Sequence, residues 1–400
     1  MYNVRGGVLI LYNILRFGFG VFFFGLQTVL MIGYFLEWKR DRNAFEAEKN
    51  KPNSENLQAE PNISIIIPIH NESLRMKPLL KSLLEQDCPC EIIFIDDRST
   101  DESPAMLREF AGEAEKSLKI TCRIITLKEN PGQNKKQYAL AEGLAQAGGD
   151  YFLFTDGDCE IPTGWIRAMV KRLADEKFGV AIGPVFKKNE GNGFFDFYQC
   201  YDHIVRYYYL AASIGLGAAG GGFGNNLIIS KKALDECGGY NAIPQSVTED
   251  AVLISLIRKT GKYRVRAVLL PDAAVDTQPE KTWKAFISQT LRWNNGGVFS
   301  PELITRLNYN LLMFLVSASI LSIPLLPFIP SLWPMSAGMF LSMIENHIAI
   351  FSTFGKKMPK SGIKSIIFYL IFLVFTPAYL TLMTLMGYLG IKTKWKDNRV

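Results

Sequence analysis

Histidine and cysteine are scarce in this sequence, and their spacing excludes several kinds of metal and redox site. The three histidines, His70, His203 and His347, share no spacing that would bring them to one metal ion. The six cysteines show no paired zinc spacing, and Cys88-Pro-Cys90 lacks the two-residue gap of a redox motif. Because the cysteines fall largely in the central part of the chain, we expect reduced thiols in the cytosol.

Internal repeats and low-complexity tracts are also missing, and no small-residue cleavage site follows the apolar segment near the amino terminus. That segment, about residues 8–36, is interrupted only by Asn13, Arg16 and Gln27. It is longer than the core of a signal peptide, so we expect a spanning helix and not a removed leader. Three further apolar stretches follow Pro301, at about 307–329, 333–351 and 366–389.

The net charge of +6 is modest, and the basic residues cluster beside the apolar stretches. Basic clusters in these positions are better explained by membrane topology and by contact with anionic lipid than by binding of nucleic acid. The run at 38–42 outweighs the lone Arg5 before the first stretch. By the positive-inside rule the amino terminus lies outside, and the large central region lies in the cytosol of a multi-pass protein of the cytoplasmic (inner) membrane.

The later apolar stretches conflict with this rule if all of them span. The basic segment 356–364 would then lie inside and the basic tail 392–400 outside. We therefore predict that 333–351, which carries Glu345, Asn346 and His347, is re-entrant or interfacial, because polar groups at that depth are costly unless they face protein or a headgroup cavity.

Between the apolar ends, strand patterns alternate with helix patterns. Nearly continuous β-branched or apolar runs at 63–68, 92–95 and 151–155 are typical of strands buried on both faces. This alternation predicts an α/β fold with a doubly wound, mostly parallel sheet and transmembrane helices at both ends. The predicted divisions are an N-terminal transmembrane helix (1–37), a juxtamembrane linker (38–60), a cytosolic domain (61–300), C-terminal transmembrane or interfacial helices (301–391) and a basic tail (392–400).

An aromatic stripe follows the sheet-forming region at helical spacing. Core packing is the first interpretation of such a stripe, and seating at the membrane surface or an acceptor groove are the alternatives. Its members are Phe194, Phe197, Tyr198, Tyr201, Val205 and Tyr208.

Acidic residues follow three of the predicted strands. Asp156-Gly157-Asp158 comes directly after 151–155, and two carboxylates at this spacing could hold a divalent cation while leaving positions for diphosphate oxygens. A solvated turn would explain the motif alone, but not its position at the end of a buried strand. Asp96-Asp97 follows the second strand, where a carboxylate could accept the imide N–H of uracil or contact ribose, and Pro68 and Glu72 end the first strand beside the same base.

These motifs and three others occur in the order found in family 2 glycosyltransferases of the GT-A fold. The match covers residues 61 to about 297, and the sequence most resembles the membrane-bound branch that includes cellulose, chitin and hyaluronan synthases and ceramide glucosyltransferases. The resemblance implies a GT-A (Rossmann-like) fold. The further motifs are Gly132 with Lys135-Lys136 and Ala139-Leu140, Thr248-Glu249-Asp250, and Gln289-x-x-Arg292-Trp293.

On the donor side, the resemblance implies that Asp97, with Asp96 adjacent, contacts the nucleotide base. Asp158, with Asp156, would bind Mn²⁺ or Mg²⁺ on the diphosphate. The usual Gly-Lys pair of the family appears here as Gly132-Gln133-Asn134-Lys135, so either Lys135 or Lys136 would reach the nucleotide, or both are solvated.

On the acceptor side, the resemblance implies that Asp250 is the general base. The residues at the acceptor and diphosphate would be Glu249, Gln289, Arg292, Trp293 and, in a glycine-rich loop at 220–226, Asn226. Trp293 would offer its face to a sugar or lipid headgroup, or would anchor an amphipathic helix at the interface. The glycines would permit close approach to a ligand, or would only make the loop flexible.

The sequence therefore predicts an inverting, metal-dependent glycosyltransferase that uses a nucleotide sugar, by preference a UDP-sugar, and a lipid or glycan acceptor. Processive polysaccharide synthesis is the alternative within this class. A nucleotidyltransferase making an activated lipid precursor would share the acids and the sheet but would need neither Gln-x-x-Arg-Trp nor a base in Thr-Glu-Asp. A non-catalytic scaffold would not need intact acids at three strand ends.

Overall fold

The β-branched runs of the middle region form the strands of the computed structural model of this protein, which describes residues 2–49, 62–117, 119–218, 221–246, 248–300, 302–391, 394–395 and 398–399. Within the first helix, side chains are described from residue 12 to residue 46. The strands are β1 (Ile63–Ile69), β2 (Cys90–Asp96), β3 (Ile120–Thr126), β4 (Tyr151–Phe154), β5 (Cys159–Glu160), β6 (Phe178–Ile182), β7 (Val185–Lys187), β8 (Leu227–Ser230), β9 (Arg264–Ala267) and β10 (Val275–Thr277), with a short pair β11 (Lys394–Trp395) and β12 (Asn398–Arg399).

Helices connect these strands and fill both ends of the chain. They are α1 (Tyr2–Lys49), α2 (Lys77–Leu84), α3 (Ser103–Ala114), α4 (Lys135–Ala145), α5 (Trp165–Lys171), α6 (Phe194–Gly215), α7 (Lys231–Glu236), α8 (Glu249–Lys259), α9 (Trp283–Val298), α10 (Leu303–Ser322), α11 (Trp333–Phe354) and α12 (Gly362–Tyr388). The chain divides into two units, a sheet unit (34–188 and 206–279) and a helical unit (1–33, 189–205 and 280–400).

The sheet unit is built on a seven-stranded sheet in the order β3-β2-β1-β4-β8-β6-β9. Neighbouring strands are parallel except for β8, which runs antiparallel to β4 and to β6. A smaller sheet has the order β5-β10-β7. Every residue of β1 except Pro68 is buried, which explains its β-branched run. The predicted α/β fold with a mostly parallel sheet is confirmed.

The register of this sheet brings several strand ends to one edge. Ile69 at the end of β1 pairs with Asp96 at the end of β2, and Phe154 at the end of β4 pairs with Leu227 at the start of β8. Because β8 runs in the opposite direction, its amino end lies where the parallel strands have their carboxyl ends. The loop before β8 therefore reaches the edge at which ligands bind open α/β sheets.

The first helix continues through most of the predicted linker, since α1 ends at Lys49 and residues 38–49 are helical; residues 50–60 lie outside the described part of the chain. A buried carboxylate, that of Asp41, ties this part of the helix to the sheet unit. Its Oδ2 accepts hydrogen bonds from the backbone N–H groups of Leu269 and Leu270, at 2.9 and 3.1 Å, and its Oδ1 lies 2.9 Å from Nε of Arg172. The charges of this segment alone predict a juxtamembrane linker and give no sign of this buried contact.

Asp41→Ala should therefore destabilise the sheet unit strongly. It would leave the buried Arg172 guanidinium without one carboxylate and two buried N–H groups without their acceptor, a loss of about 3–5 kcal/mol in the free energy of unfolding. Thermal unfolding in detergent would report a lower midpoint. Glu46→Ala is the matched control, because the Arg42–Glu46 pair is about half exposed and contributes little. Equal midpoints for the two variants would contradict the prediction.

In the helical unit, the aromatic stripe is core, as the first interpretation predicted. Phe197, Tyr198 and Tyr201 on α6 are buried, and the ring of Tyr198 lies 5.2 Å from that of Phe372 on α12. Tyr208, at the other end of the stripe, belongs to the sheet unit and packs there against Tyr34.

Three of the described helices are long and apolar enough to cross a membrane, at residues 12–46, 303–325 and 362–388. The helix α11, predicted to be re-entrant or interfacial, is not one of them, and its depth stays a prediction. Its polar residues face protein: Glu345 accepts from the Thr28 hydroxyl at 3.1 Å, and Asn346 donates to Gln27 at 3.4 Å.

Candidate active site

The two loops that follow β1 and β2 are tied together in an uncommon backbone conformation. Asn71 and Arg98 adopt positive φ angles of 53° and 58°, which non-glycine residues rarely do outside special sites. The Asn71 side-chain oxygen accepts from the backbone N–H of Thr100 at 2.8 Å, and the Asn71 N–H donates to the Ser99 hydroxyl at 3.0 Å. The Asn71 side chain and the Ser99 hydroxyl thus fasten the two loops to each other.

The consecutive acids after β2 have different partners. Asp96 accepts a hydrogen bond from the Ser99 N–H at 3.1 Å. The Asp97 carboxylate accepts from Arg98 Nε at 2.8 Å and from the buried Asn130 amide at 2.9 Å. Both carboxylates are buried at the end of β2, and their contact with a nucleotide base stays a prediction. The Pro68 backbone lies beside them, since Pro68 pairs with Ile95 of β2.

The Asp-x-Asp loop after β4 lies against the loop that follows β1. A Cβ at Gly157 would come within 2.8 Å of Ile69 and 3.0 Å of the Glu72 side chain, so glycine is required for this approach. Arg75 then joins the two loops: its guanidinium lies 2.9 Å from Glu72 Oε2 and 3.2 Å from Asp158 Oδ2.

The two lysines at the start of α4 have different environments. Lys135 Nζ donates to the backbone carbonyl of Asn130 at 2.6 Å, which holds the preceding loop. Lys136 Nζ lies 2.6 Å from Asp156 Oδ1. Burial by itself would lower the pKa of Lys136. The nearby carboxylates of Asp156, Glu249 and Asp250 have the larger combined effect and raise the pKa of the lysine above its ordinary value. Of the two lysines, Lys136 is therefore the one that lies close to the predicted metal ligand Asp156 and the predicted base Asp250.

Asp250, the predicted general base, lies in the first turn of α8 against the glycine-rich loop. Its Oδ2 accepts from the Gly224 N–H at 2.8 Å, and its Oδ1 accepts from the Ala251 N–H at 2.8 Å. A Cβ at Gly222 would lie 2.8 Å from the Asp250 carboxyl carbon. Gly222 and Gly224 therefore serve close packing on Asp250, which favours the first of the two interpretations of the loop.

Asn226, predicted to lie at the acceptor, has a side chain with no exposed surface, and its contact with an acceptor stays a prediction. Its Nδ2 donates to the carbonyl oxygens of Pro184 and Ala273, at 2.9 and 2.8 Å, and its Oδ1 accepts from Trp165 Nε1 at 2.9 Å. A Cβ at Gly183 would come within 2.2 Å of this amide. Asn226 thus fixes the loop next to β8.

Glu249 is also held by protein. It is buried and accepts from the Asn134 side-chain amide at 3.0 Å. Asn134 caps α4 through its Oδ1, which accepts from the Gln137 N–H at 3.2 Å. The sequence offered a signal for this cap, an asparagine directly before a helical pattern, but nothing that linked it to α8.

The Gln-x-x-Arg-Trp residues lie on α9 in the helical unit. Gln289 Nε2 donates to Glu280 Oε1 at 2.8 Å, and the Trp293 ring lies 5.4 Å from that of His203. Gln289, Arg292 and Trp293 are each partly exposed. Their closure over a diphosphate and an acceptor stays a prediction.

The donor atoms at the Asp-x-Asp loop fit Mn²⁺ or Mg²⁺, which prefer carboxylate oxygens. The Asp156 and Asp158 side chains are 32% and 19% exposed, so a ligand can reach them. Within the described residues, no group of three or more histidine, cysteine, aspartate or glutamate side chains is arranged to hold a metal ion. Diphosphate and water oxygens would therefore have to complete the coordination.

The site and fold agree with comparisons to known proteins. The glycosyl transferase family 2 model matches residues 64–250. This match confirms the resemblance that the motifs indicate for this region.

Two relatives extend the likeness beyond this region. The β-monoglucosyldiacylglycerol synthase of Nostoc sp. is 26% identical over 280 residues, which are 67% of this chain and 58% of that protein. The probable glycosyltransferase YdaM of Bacillus subtilis is 26% identical over 297 residues, 70% of this chain and 66% of that protein. The chain thus spans less than two thirds of the length of either relative.

A solved structure shares the fold over nearly the whole chain. The mannosyltransferase PcManGT from Pyrobaculum calidifontis, in complex with GDP-Man and Mn²⁺, matches with a TM-score of 0.52 and 18% identity, over 94% of this chain and 99% of that one.

Proposed function

We propose that the protein is an inverting, metal-dependent glycosyltransferase that moves one sugar from a nucleotide sugar, by preference a UDP-sugar, to a membrane lipid. One observation carries the proposal: Lys136 contacts Asp156 of the metal motif and also lies within the electrostatic reach of Asp250, the proposed base. Donor-side and acceptor-side acids are thereby gathered around one lysine at one edge of the sheet.

The reaction assigns a simple task to Asp250. The acceptor hydroxyl oxygen forms a bond to the anomeric carbon while the bond from that carbon to the diphosphate oxygen breaks, and the hydroxyl proton passes to the Asp250 carboxylate. Inversion needs only one base on the face opposite the leaving group. The hydrogen bonds from Gly224 and Ala251 hold the carboxylate in one orientation for this transfer.

The leaving nucleotide diphosphate gains negative charge as the bond breaks. Mn²⁺ or Mg²⁺, held by Asp158 with Asp156, would neutralise that charge when bound. Lys136 lies beside Asp156 and can add positive charge there, and Arg292 of the Gln-x-x-Arg-Trp motif is proposed to contribute from α9.

A lipid acceptor is supported by two observations. The Nostoc relative is named for a glycosylated diacylglycerol, and three described helices of this chain are suited to a membrane. The purified protein should therefore be incubated in detergent with Mn²⁺, a panel of nucleotide sugars, and diacylglycerol or polyprenyl phosphate, and UDP or GDP release measured.

We expect release of UDP together with a lipid that carries one added sugar, identified by mass spectrometry. A long glycan product would instead establish processive synthesis, and pyrophosphate release with a nucleotide-linked lipid would establish a nucleotidyltransferase. Absence of both nucleotide binding and release would identify a non-catalytic scaffold.

Gly222→Ala should lower turnover by about tenfold or more while the protein stays folded. The added methyl group would lie within 3.0 Å of the Asp250 carboxylate and displace it from its hydrogen bonds. Gly224→Ala, with a closest approach of 3.3 Å to Asp250 Oδ2, should have a smaller effect. Gly112→Ala in α3, where nothing lies within 4 Å, is the control. The prediction fails if all three variants have the same initial rate of UDP release.

We also propose that residues 61–300 are cytosolic, because nucleotide sugars are cytosolic and the basic run at 38–42 favours the inside. Ser54→Cys, in a background without native cysteines, should resist an impermeant thiol reagent in intact cells and react after permeabilisation. Asp397→Cys should be protected in the same way if one of the last three apolar stretches does not span. Both positions lie outside the described residues. Labelling of Ser54→Cys in intact cells would overturn this topology.

A further inference from the structure

Each carboxylate of the Asp-x-Asp motif already contacts a basic side chain of the same chain. Lys136 Nζ lies 2.6 Å from Asp156 Oδ1, and Arg75 Nη1 lies 3.2 Å from Asp158 Oδ2. Arg75 also contacts Glu72, at 2.9 Å. Arg75 belongs to none of the motifs recognised in the sequence, so its place at this loop needs an explanation of its own.

These two cations oppose the binding of a metal ion by itself. A positive charge within about 3 Å of a carboxylate repels a second cation and occupies the oxygens that the second cation needs. The described residues also offer a metal ion no group of three ligating side chains. A divalent cation without the nucleotide would therefore have to compete with Arg75 and Lys136 for the two carboxylates.

The nucleotide diphosphate changes this balance because it brings negative charge of its own. Its oxygens can accept hydrogen bonds from a guanidinium and an ammonium, both of which bind phosphate well. Lys136 and Arg75 are 19% and 36% exposed at their side chains, so each has a solvent-facing side from which a diphosphate can approach.

We propose that Arg75 and Lys136 are resident counter-cations that exchange partners when metal and nucleotide bind: they release Asp158 and Asp156 to the divalent cation and pair with the diphosphate oxygens. This inference rests on the proposed function. It makes Arg75 a nucleotide-binding residue that couples the two ligands, and it predicts that the nucleotide strengthens metal binding and the metal strengthens nucleotide binding by the same factor.

Arg75 is the residue on which to test the exchange, because the sequence motifs assign it no donor-binding role. Mn²⁺ binding to the purified full-length protein is measured from the electron paramagnetic resonance signal of free Mn²⁺, with and without UDP. UDP binding at saturating Mn²⁺ is measured by calorimetry. The proteins compared are the wild type, Arg75→Gln, Arg75→Lys and Lys81→Gln. All are measured at the same concentrations, so that association of Mn²⁺ with UDP in solution cancels.

Arg75→Gln should bind Mn²⁺ alone about tenfold more tightly than the wild type and should bind UDP at saturating Mn²⁺ about tenfold more weakly. Arg75→Lys keeps the charge and should lie closer to the wild type in both constants. Lys81→Gln removes an equal charge from an exposed ion pair on α2 and should change neither. If Arg75 had a purely structural role, Arg75→Gln would bind both Mn²⁺ and UDP more weakly than the wild type and would have a lower unfolding midpoint.

The exchange is refuted if Arg75→Gln and the wild type bind Mn²⁺ alone with equal affinity while both bind UDP in a Mn²⁺-dependent manner. The proposed function survives that result. If the wild type binds UDP neither with nor without Mn²⁺, the proposed function fails, and the exchange fails with it.

Discussion

Asp250→Asn should lower turnover by about a hundredfold to ten-thousandfold while donor binding is preserved. The amide has the shape of the carboxylate, and its oxygen can still accept from the Gly224 N–H, so the loop before β8 keeps its place, while its NH₂ group replaces the oxygen that accepts from the Ala251 N–H. What the amide cannot do is take the proton of the acceptor hydroxyl. Initial rates of UDP release with the lipid acceptor, and UDP-sugar affinity measured by calorimetry, would separate the two effects.

The matched control is Asp235→Asn, which neutralises an exposed carboxylate on α7 and should leave both quantities unchanged. Near wild-type turnover in Asp250→Asn would show that another group takes the proton. A parallel loss of donor affinity would show that Asp250 acts on the donor and not on the acceptor.

Asp158→Ala should lower turnover by on the order of a thousandfold, because the divalent cation is the largest positive charge available to the leaving diphosphate. Exhaustive chelation of the wild type should have a comparable effect that added Mn²⁺ reverses. Folding should be preserved, since the Asp158 side chain is partly exposed and its partner Arg75 retains Glu72.

Asp87→Ala is the control for this variant, because Asp87 also pairs with an arginine, Arg167, but is exposed and distant in sequence from the motif. Full turnover after chelation would contradict the metal role. If Asp158→Ala retains activity that still depends on added metal, another carboxylate is the main ligand of the divalent cation.

The sequence predicted the donor-side half of the sheet well for a physical reason. β1, β2 and β4 are buried on both faces, so nearly every residue must be apolar or β-branched, and an acid directly after such a run marks the strand end. The strands β7 and β10 have only three residues each. Runs that short carry little periodicity, and their existence depends on partners distant in sequence.

Several polar residues have environments that the sequence did not reveal, for a common reason. Nothing in the local sequence marks Asn226 or Asp41 as buried, yet each is fully buried and bonded to backbone groups far along the chain. Arg75 was missed because its partner Asp158 is brought close by packing of Gly157 against Glu72. Burial of a polar residue is decided by tertiary contacts that local composition does not reveal.

The antiparallel strand β8 has a consequence for how the chain reaches its native state. One edge of β4 pairs with β8, whose residues 227–230 are synthesised more than seventy positions later. Phe152 and Leu153 can therefore pair with Ile229 and Ile228 only after that segment has been made. Until then, β4 presents unpaired backbone groups and apolar side chains, the condition under which nascent chains associate with one another. A ribosome-bound fragment that ends before β8 should therefore be aggregation-prone, whereas one that includes it should not.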